Sequence, residues 1–286
     1  MSYASLSFKL FGDISKSLRI YFLDIKEDLN RAGLMYTLEE YLSIALLTTT
    51  ITFISEIVLL SFIFGIIVFD PILALLLGLL LSLTISSFIF FLFYSYPAAI
   101  AKTKENNIKK VLPFAVSYLA TMSSSKVQPI VLFRTISEFD EYGEVAKEAK
   151  NIVRYVDMFG MTTTSAIKKQ AKRTPSKELR ELLWSMNILI TTGGDLTTFL
   201  KQKSEELMAD YRRRIRKYSQ DLSLFVEIYL TLIITGSIFF IVLSSVISAL
   251  SIGVETILIQ SFIVFILLPL LSIGFIILIK SLSPLE

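Results

Sequence analysis

Hydrophobic positions fall along this chain in two alternating regimes. Four runs are apolar on every side of a helix: about Ile44–Phe69, Ile72–Tyr96, Leu222–Leu250 and Ile257–Ile279. Each exceeds the roughly 20 apolar residues that cross a bilayer core of about 30 Å. A buried helix of a soluble protein rarely stays apolar all round for that length. The runs pair into two hairpins. Asp70-Pro71 makes the first reversal, with Asp suited to the N-cap and Pro to the first helical position. Ser251–Glu255, containing Gly253, makes the second. Residues 1–41 and 97–222 instead mix polar and apolar positions at helical spacing. Near the start, Ile14, Leu18, Tyr21, Phe22, Ile25 and Leu29 recur every three or four positions among charged residues. That spacing predicts an amphipathic helix over about 13–32, stopped near Gly33. Such a helix packs on the rest of the protein or lies in the membrane interface.

The central block divides by its punctuation. Helical pattern can run past Pro97 through Asn107, and a helix from about Pro113 reaches Ser123-Ser124-Ser125. Gln128-Pro129 opens another, to about Phe139. A third runs from about Glu141 to Asp157 and ends near Gly160. Thr162–Thr164 caps a short helix to Arg173, and Thr174-Pro175 caps the next, which ends at Gly193-Gly194. Asp195 caps the last, which continues into the third apolar run. The turns at Lys126, Gly160 and Gly194 are spaced 34 residues apart. The spacing matches a tetratricopeptide period, but the aromatic, Gly and Pro positions of that repeat are not filled. Three successive helical hairpins forming one bundle fit better. The expected fold is all-α: four transmembrane helices in two hairpins, 42–96 and 223–280, flanking a bundle of about six helices at 97–222. Whether the turns gather near the membrane or far from it is open at this level.

Charge orients this arrangement. Residues 97–222 hold 22 of the 28 Lys and Arg against 14 of the 25 Asp and Glu, a local net charge of +8. The other six basic residues lie before position 41 or at Lys280, and neither reversal carries one. The positive-inside rule therefore predicts a cytoplasmic central block, cytoplasmic termini including the tail 281–286, and outward-facing turns at 70–72 and 251–255. So little protrudes outside that a receptor or adhesin role is disfavoured. The start, MSYASLSFKL, lacks the layout of a cleavable signal peptide.

Composition narrows the chemistry further. With no Cys and no His, disulfides, thiol chemistry, Cys/His zinc sites and His-based catalysis are excluded. There is no P-loop. No catalytic, cofactor or metal set is expected. Two basic clusters stand out. Lys168, Lys169, Lys172 and Arg173 share one helical face, distant in sequence from both hairpins. Membrane topology does not require charge there, so the face is either ordinary solvated surface or a docking site for an acidic partner. Arg212, Arg213, Arg214, Arg216 and Lys217 precede the third apolar run, where headgroup contact and a topology signal compete with partner docking. Nucleic acid is a poor fit, since the clusters lack interleaved aromatics. Glu56, roughly 20 Å along its helix from Asp70, is either a partnered interhelical carboxyl or a contact for a positively charged segment of another protein inside the membrane. Gly65, Gly78, Gly236 and Gly274 are expected to permit close helix packing.

Four stretches carry a resemblance: DLNRAGLMYTLEEYL (28–42), VLPFAVSYLATMSSSKVQPIVLFRTIS (111–137), AKNIVRYVDMFGMTTTSAIKKQAKRTPS (149–176) and LLWSMNILITTGGDLTTFLKQKSEELMADYRRR (182–214). In their order, turn spacing and flanking hairpins they resemble the type II secretion F-domain membrane proteins. These are the platform proteins of type II secretion systems, type IV pili, tight-adherence pili and the archaeal flagellum. The wording of 111–137 and 205–214 is most similar to archaeal members. Two departures stand out: Lys126 replaces the usual Gly of the first turn, at the position matching Gly160 and Gly193-Gly194, and there is one F domain where many platforms have two. The resemblance implies a non-enzymatic protein of the cytoplasmic membrane. Its partners would be the lipid bilayer, a cytoplasmic hexameric assembly ATPase, pilin-like filament subunits, and a second F domain from a homodimer or another platform protein. The competing reading is a small multi-pass transporter or channel component.

Overall fold

A computed structural model describes residues 3–68, 70–250, 258 and 261–281. The chain divides into two compact units, Met1–Thr198 and Phe199–Glu286. Among the described residues every regular element is helical. Among the described residues, three helices are long and apolar enough to cross a membrane: Leu38–Ile67, Pro71–Ser123 and Leu196–Leu243. A shorter apolar helix runs over Phe265–Lys280, within the expected fourth span. The expected reversal at 251–255, with Gly253, and the tail from 282 onward lie outside the described residues.

The first unit opens with α1 (Tyr3–Leu18) and α2 (Leu23–Ala32). The single helix expected over 13–32 is therefore two, and the first begins well before position 13. The break carries neither Gly nor Pro. It is held by tertiary contacts: Phe22 packs its ring against Phe90 and Tyr94, and Arg19 pairs with Glu39 at 3.1 Å. Gly33 ends α2 as expected, in the left-handed conformation (φ 74°) that a side chain would strain.

Helices α3 (Leu38–Val68) and α4 (Pro71–Ser123) form the first hairpin. Asp70 caps α4 by accepting from the amides of Ile72 and Leu73, with Pro71 at its first position. A stripe at every fourth position of α4, Ala74, Gly78, Ser82 and Ser86, is buried. Gly78 makes the tightest approach to α3: a Cβ there would stand 2.9 Å from the backbone nitrogen of Ser61. Among the described residues, nothing lies within 4 Å of a Cβ built on Gly65, Gly236 or Gly274, the other three glycines expected at close contacts.

At 53 residues α4 is about 80 Å long. It passes through Pro97 and Pro113 without ending, so the separate helix expected from Pro113 is its last part. A proline removes one N–H from the helical ladder and frees the carbonyl four residues earlier. For Pro97 that carbonyl belongs to Phe93, and the buried Tyr41 hydroxyl donates to it at 2.7 Å.

The last third of α4 shares one core with α5 (Pro129–Glu138), α6 (Gly143–Asp157), α7 (Thr163–Arg173) and α8 (Lys177–Thr192). Ile108, Val116, Leu132, Ile152, Ile167 and Met186 are among its most fully enclosed members. Caps fix the helix ends: Thr162 accepts from the amide of Ser165 and Asp195 from those of Thr197 and Thr198. Ser176, and not Thr174-Pro175, caps α8, through the Leu179 amide. In the second unit α9 (Leu196–Leu230), which starts in the first, continues through a π turn (Thr231–Thr235) into α10 (Gly236–Leu250). Tyr229 of α9 meets Phe275 of α11 (Leu268–Ser281) at 5.0 Å between ring centroids.

Candidate docking surface

Three left-handed turns define one end of the α4–α8 assembly: Lys126 (φ 53°), Gly160 (φ 62°) and Gly193 (φ 72°). Lys126 thus takes the same left-handed backbone conformation as Gly160 and Gly193. It is the only non-glycine residue with positive φ among the described residues. Gly194 supplies no such torsion. Its amide donates to the Leu189 carbonyl at 2.8 Å, closing the end of α8. The turns are drawn together by two side-chain contacts. Thr197 Oγ1 donates to the carbonyl of Ser123 (2.9 Å), tying the turn after α8 to the end of α4. Arg134 of α5 forks onto Asp157, three residues before Gly160 (2.8 and 3.0 Å). Lys109 and Glu178 pair at 3.2 Å near the opposite connection. The turns therefore lie at the end of α4 remote from its apolar half.

The basic face predicted on α7 runs back from this end. Its four cations are on one helix but not in one environment. Lys168 Nζ stands 5.9 Å over the ring of Trp184 on α8. Lys169 Nζ lies 4.3 Å over Tyr155 on α6 and 5.9 Å from Phe159. Arg173 donates to the Tyr155 hydroxyl at 2.9 Å. Lys172 is exposed. Each aromatic seat contributes about 0.5–1 kcal/mol at an exposed site. Its larger effect is to hold the charges in place, which lowers the ordering cost of any contact they make. Phe159, 65% exposed, lies beside Lys169 at the α6–α7 turn, and Met158, the residue before it, is 75% exposed. Apolar anchors ringed by fixed charge are the composition of a protein–protein contact.

In the second unit Arg212, Arg213, Arg216 and Lys217 are exposed on α9 and Arg214 is half-buried. Arg213 pairs with Asp210. Glu56 is engaged inside the hairpin, where Ser86 Oγ donates to its carboxylate at 3.3 Å.

One buried polar pair was not anticipated. Glu148 of α6 and Gln170 of α7 are 8% and 2% exposed, and the Gln170 amide donates to the Glu148 carboxylate. Together with Lys104 and Arg173 they border a cleft of about 550 Å³. Burial pushes the Glu148 carboxyl above its ordinary range, opposed by the Gln170 hydrogen bond and the Lys104 charge. The pattern carried a signal for this pair. Glu148 occupies an inward position between Val145 and Ile152, and Gln170 one among Ala166, Ile167 and Ala171. An acid with a raised folded pKa loses its proton first in the unfolded chain, so stability falls as pH rises from the ordinary carboxyl range through the folded pKa. Glu148→Gln keeps an acceptor for Gln170 and has no proton to lose. It should raise the melting temperature near neutral pH, with the difference vanishing below the ordinary carboxyl range. Melting curves that coincide near neutral pH would rule this out.

Residues 115–244 match the family model described as type II secretion system (T2SS), protein F. That likeness covers a little under half of the chain. It takes in the end of α4, all of α5–α9 and part of α10. Relatives point the same way. The chain is 27% identical over 150 residues to flagella accessory protein J of Methanocaldococcus jannaschii, covering 52% of this chain and 26% of that protein. It is 24% identical over 145 residues to flagella accessory protein J of Methanococcus voltae, covering 50% and 26%. An uncharacterised protein of Methanocaldococcus jannaschii is 26% identical over 134 residues, covering 47% and 22%. The chain spans about a quarter of the length of these relatives. No solved structure matches the chain.

Proposed function

We propose that this chain is a membrane platform protein of a type IV pilus-like or archaeal flagellum assembly machine, or of a type II secretion system. In this reading four spanning helices, 42–96 and 223–280, hold a cytoplasmic bundle of about six helices in the inner membrane, with both termini cytoplasmic. The observation that carries the proposal is an F domain whose first and last helices run directly into apolar segments long enough to cross a bilayer. Similarity to two flagella accessory proteins J supports it, and the distribution of Lys and Arg supports the orientation.

The bundle docks a hexameric assembly ATPase and passes its motion to the insertion of pilin-like subunits. The role is mechanical, with no catalysis and no cofactor. Lys168, Lys169, Lys172 and Arg173 are the first candidate docking set, and Arg212, Arg213, Arg214, Arg216 and Lys217 the second. Glu56 is the candidate contact for a subunit inside the membrane. The working unit contains at least two F domains, through a homodimer or a second platform protein. A transporter or channel component is the weaker reading, because Glu56 and Pro269 are the only features that favour it.

The test reverses all four α7 charges to Glu in the full chain, reconstituted in nanodiscs and titrated with the ATPase. Exposed charges contribute little to stability but steer and hold an encounter. Affinity should fall about tenfold or more, and binding by the parent chain should weaken with added salt. Helicity should be unchanged. Undiminished binding by the folded fourfold variant would remove this face from the proposal.

A further inference from the structure

Helix α1 is built the wrong way round for a helix surrounded by water. The residues it buries are Ser7, Gly12 and Ser15. The residues it exposes include Leu6, Leu10 and Ile14, at 43%, 63% and 51%. These three stand at every fourth position and so form one stripe. Lys9, Asp13 and Lys16 form another, all exposed, with Lys16 paired to Asp13 at 3.1 Å. A surface helix of a soluble protein turns its apolar stripe to the core and its polar stripe to solvent. Here the small polar face is the seat, and the apolar stripe is left over.

The seat is on α3. Ser43 Oγ donates to Ser15 Oγ at 3.0 Å in a buried contact, and Tyr3 and Thr48 share a hydrogen bond of 2.9 Å. With the Arg19–Glu39 pair, these contacts step along α3 from Glu39 to Thr48 as α1 is followed back to its start. Nine residues of helix are about 14 Å. They belong to the first part of a helix that is itself apolar enough to span a membrane. Tyr94 and Tyr96, both exposed, mark the same level on α4, and Phe22 is packed against Phe90 and Tyr94 there. Exposed tyrosines at the end of an apolar helix are the usual markers of the headgroup region.

We infer that α1 lies in the membrane interface, in the leaflet at the Leu38 end of α3. Its Leu6–Leu10–Ile14 stripe enters the acyl region, and Lys9 and Lys16 reach back to the headgroups. The occupant of the stripe is lipid because the surface is continuous with the lipid-facing flank of α3. The neighbouring stripe has the paired charge and Lys stems that sit at headgroup level. A depth of about 5–10 Å is ordinary for such a helix. This inference stands apart from any assembly machine: it needs only that α3 spans a bilayer.

The chain has no Cys, so single Cys residues at 6, 10 and 14, and at 9, 13 and 16, can each carry a spin label in the full chain in phosphatidylcholine–phosphatidylglycerol nanodiscs. Collisional relaxation by oxygen, which partitions into lipid, is compared with relaxation by a water-soluble nickel chelate. Labels at 6, 10 and 14 should be oxygen-accessible and shielded from nickel, and labels at 9, 13 and 16 the reverse. Nickel access at 6, 10 and 14 equal to that at 9 and 16 would overturn the inference. So would shielding of the stripe from both reagents, since protein and not lipid would then cover it. Loss of the alternation within both stripes would mean α1 is not helical in the bilayer, and would overturn it equally.

Discussion

Truncating Leu182 to alanine should destabilise the α4–α8 assembly by about 3–5 kcal/mol. Leu182 is 2% exposed, on the face of α8 that meets α4, α5 and α6. It borders an interior cavity of about 20 Å³ also lined by Leu112, Val116, Phe133 and Ile152. A site that already contains a void, walled by four helices, has little scope to collapse around a second one. The cost therefore falls toward the upper end for a lost leucine, where cavity volume adds to the transfer term. Set against a typical domain stability of about 5–15 kcal/mol, this is a large fraction. Trp184 is the only tryptophan and lies two residues along the same helix, so its fluorescence during urea unfolding reads the change directly. Ile188, 57% exposed on the same helix, is the control, and its truncation should stay within about 0.5 kcal/mol. Equal effects at the two positions would mean that α8 does not pack through this face.

The same physics separates what the residues disclosed from what they hid. Most helix ends were legible where the cap is made by the adjoining residues, although the start of α8 was read two residues early, at Thr174-Pro175 instead of Ser176. Asp70-Pro71, Thr162 and Asp195 start helices, and Gly33, Gly160 and Gly193 end them in the left-handed region. A cap is decided within about four residues, and a sequence window contains all of it. The break between α1 and α2 was not legible, because it is imposed by Phe90, Tyr94 and Glu39, far along the chain. Lys126 is a mixed case. Its turn was evident from the spacing, but a lysine with φ 53° is not predictable from its own preference, and neighbouring contacts hold it there. The basic face on α7 follows from helical spacing alone. Its division into a Trp184 seat and a Tyr155 seat does not, since those rings lie on two other helices. Buried Glu148 and Gln170 broke an apolar pattern that the rest of their faces kept.

Tyr41→Phe should cost about 1–3 kcal/mol, and Pro97→Ala should largely remove that cost. Within α4, Pro97 brings no N–H to the Phe93 carbonyl. The site is poor in water, as Tyr41 is 5% exposed, and a buried carbonyl left without a donor costs its full desolvation. The Tyr41 hydroxyl, 52 residues away in sequence, supplies the missing donor at 2.7 Å. Membrane helices tolerate proline where a neighbour satisfies the freed group in this way. Phenylalanine keeps the ring, which meets Phe93 edge-on at 6.4 Å, and deletes only the donor. Alanine at position 97 restores the backbone N–H, so the carbonyl no longer depends on Tyr41. The two substitutions should therefore couple, with an interaction energy of about 1 kcal/mol or more in a double-mutant cycle. Unfolding of the four proteins in mixed micelles by added denaturing detergent measures it. If Tyr41→Phe costs the same whether position 97 holds proline or alanine, the hydroxyl is not compensating for the proline.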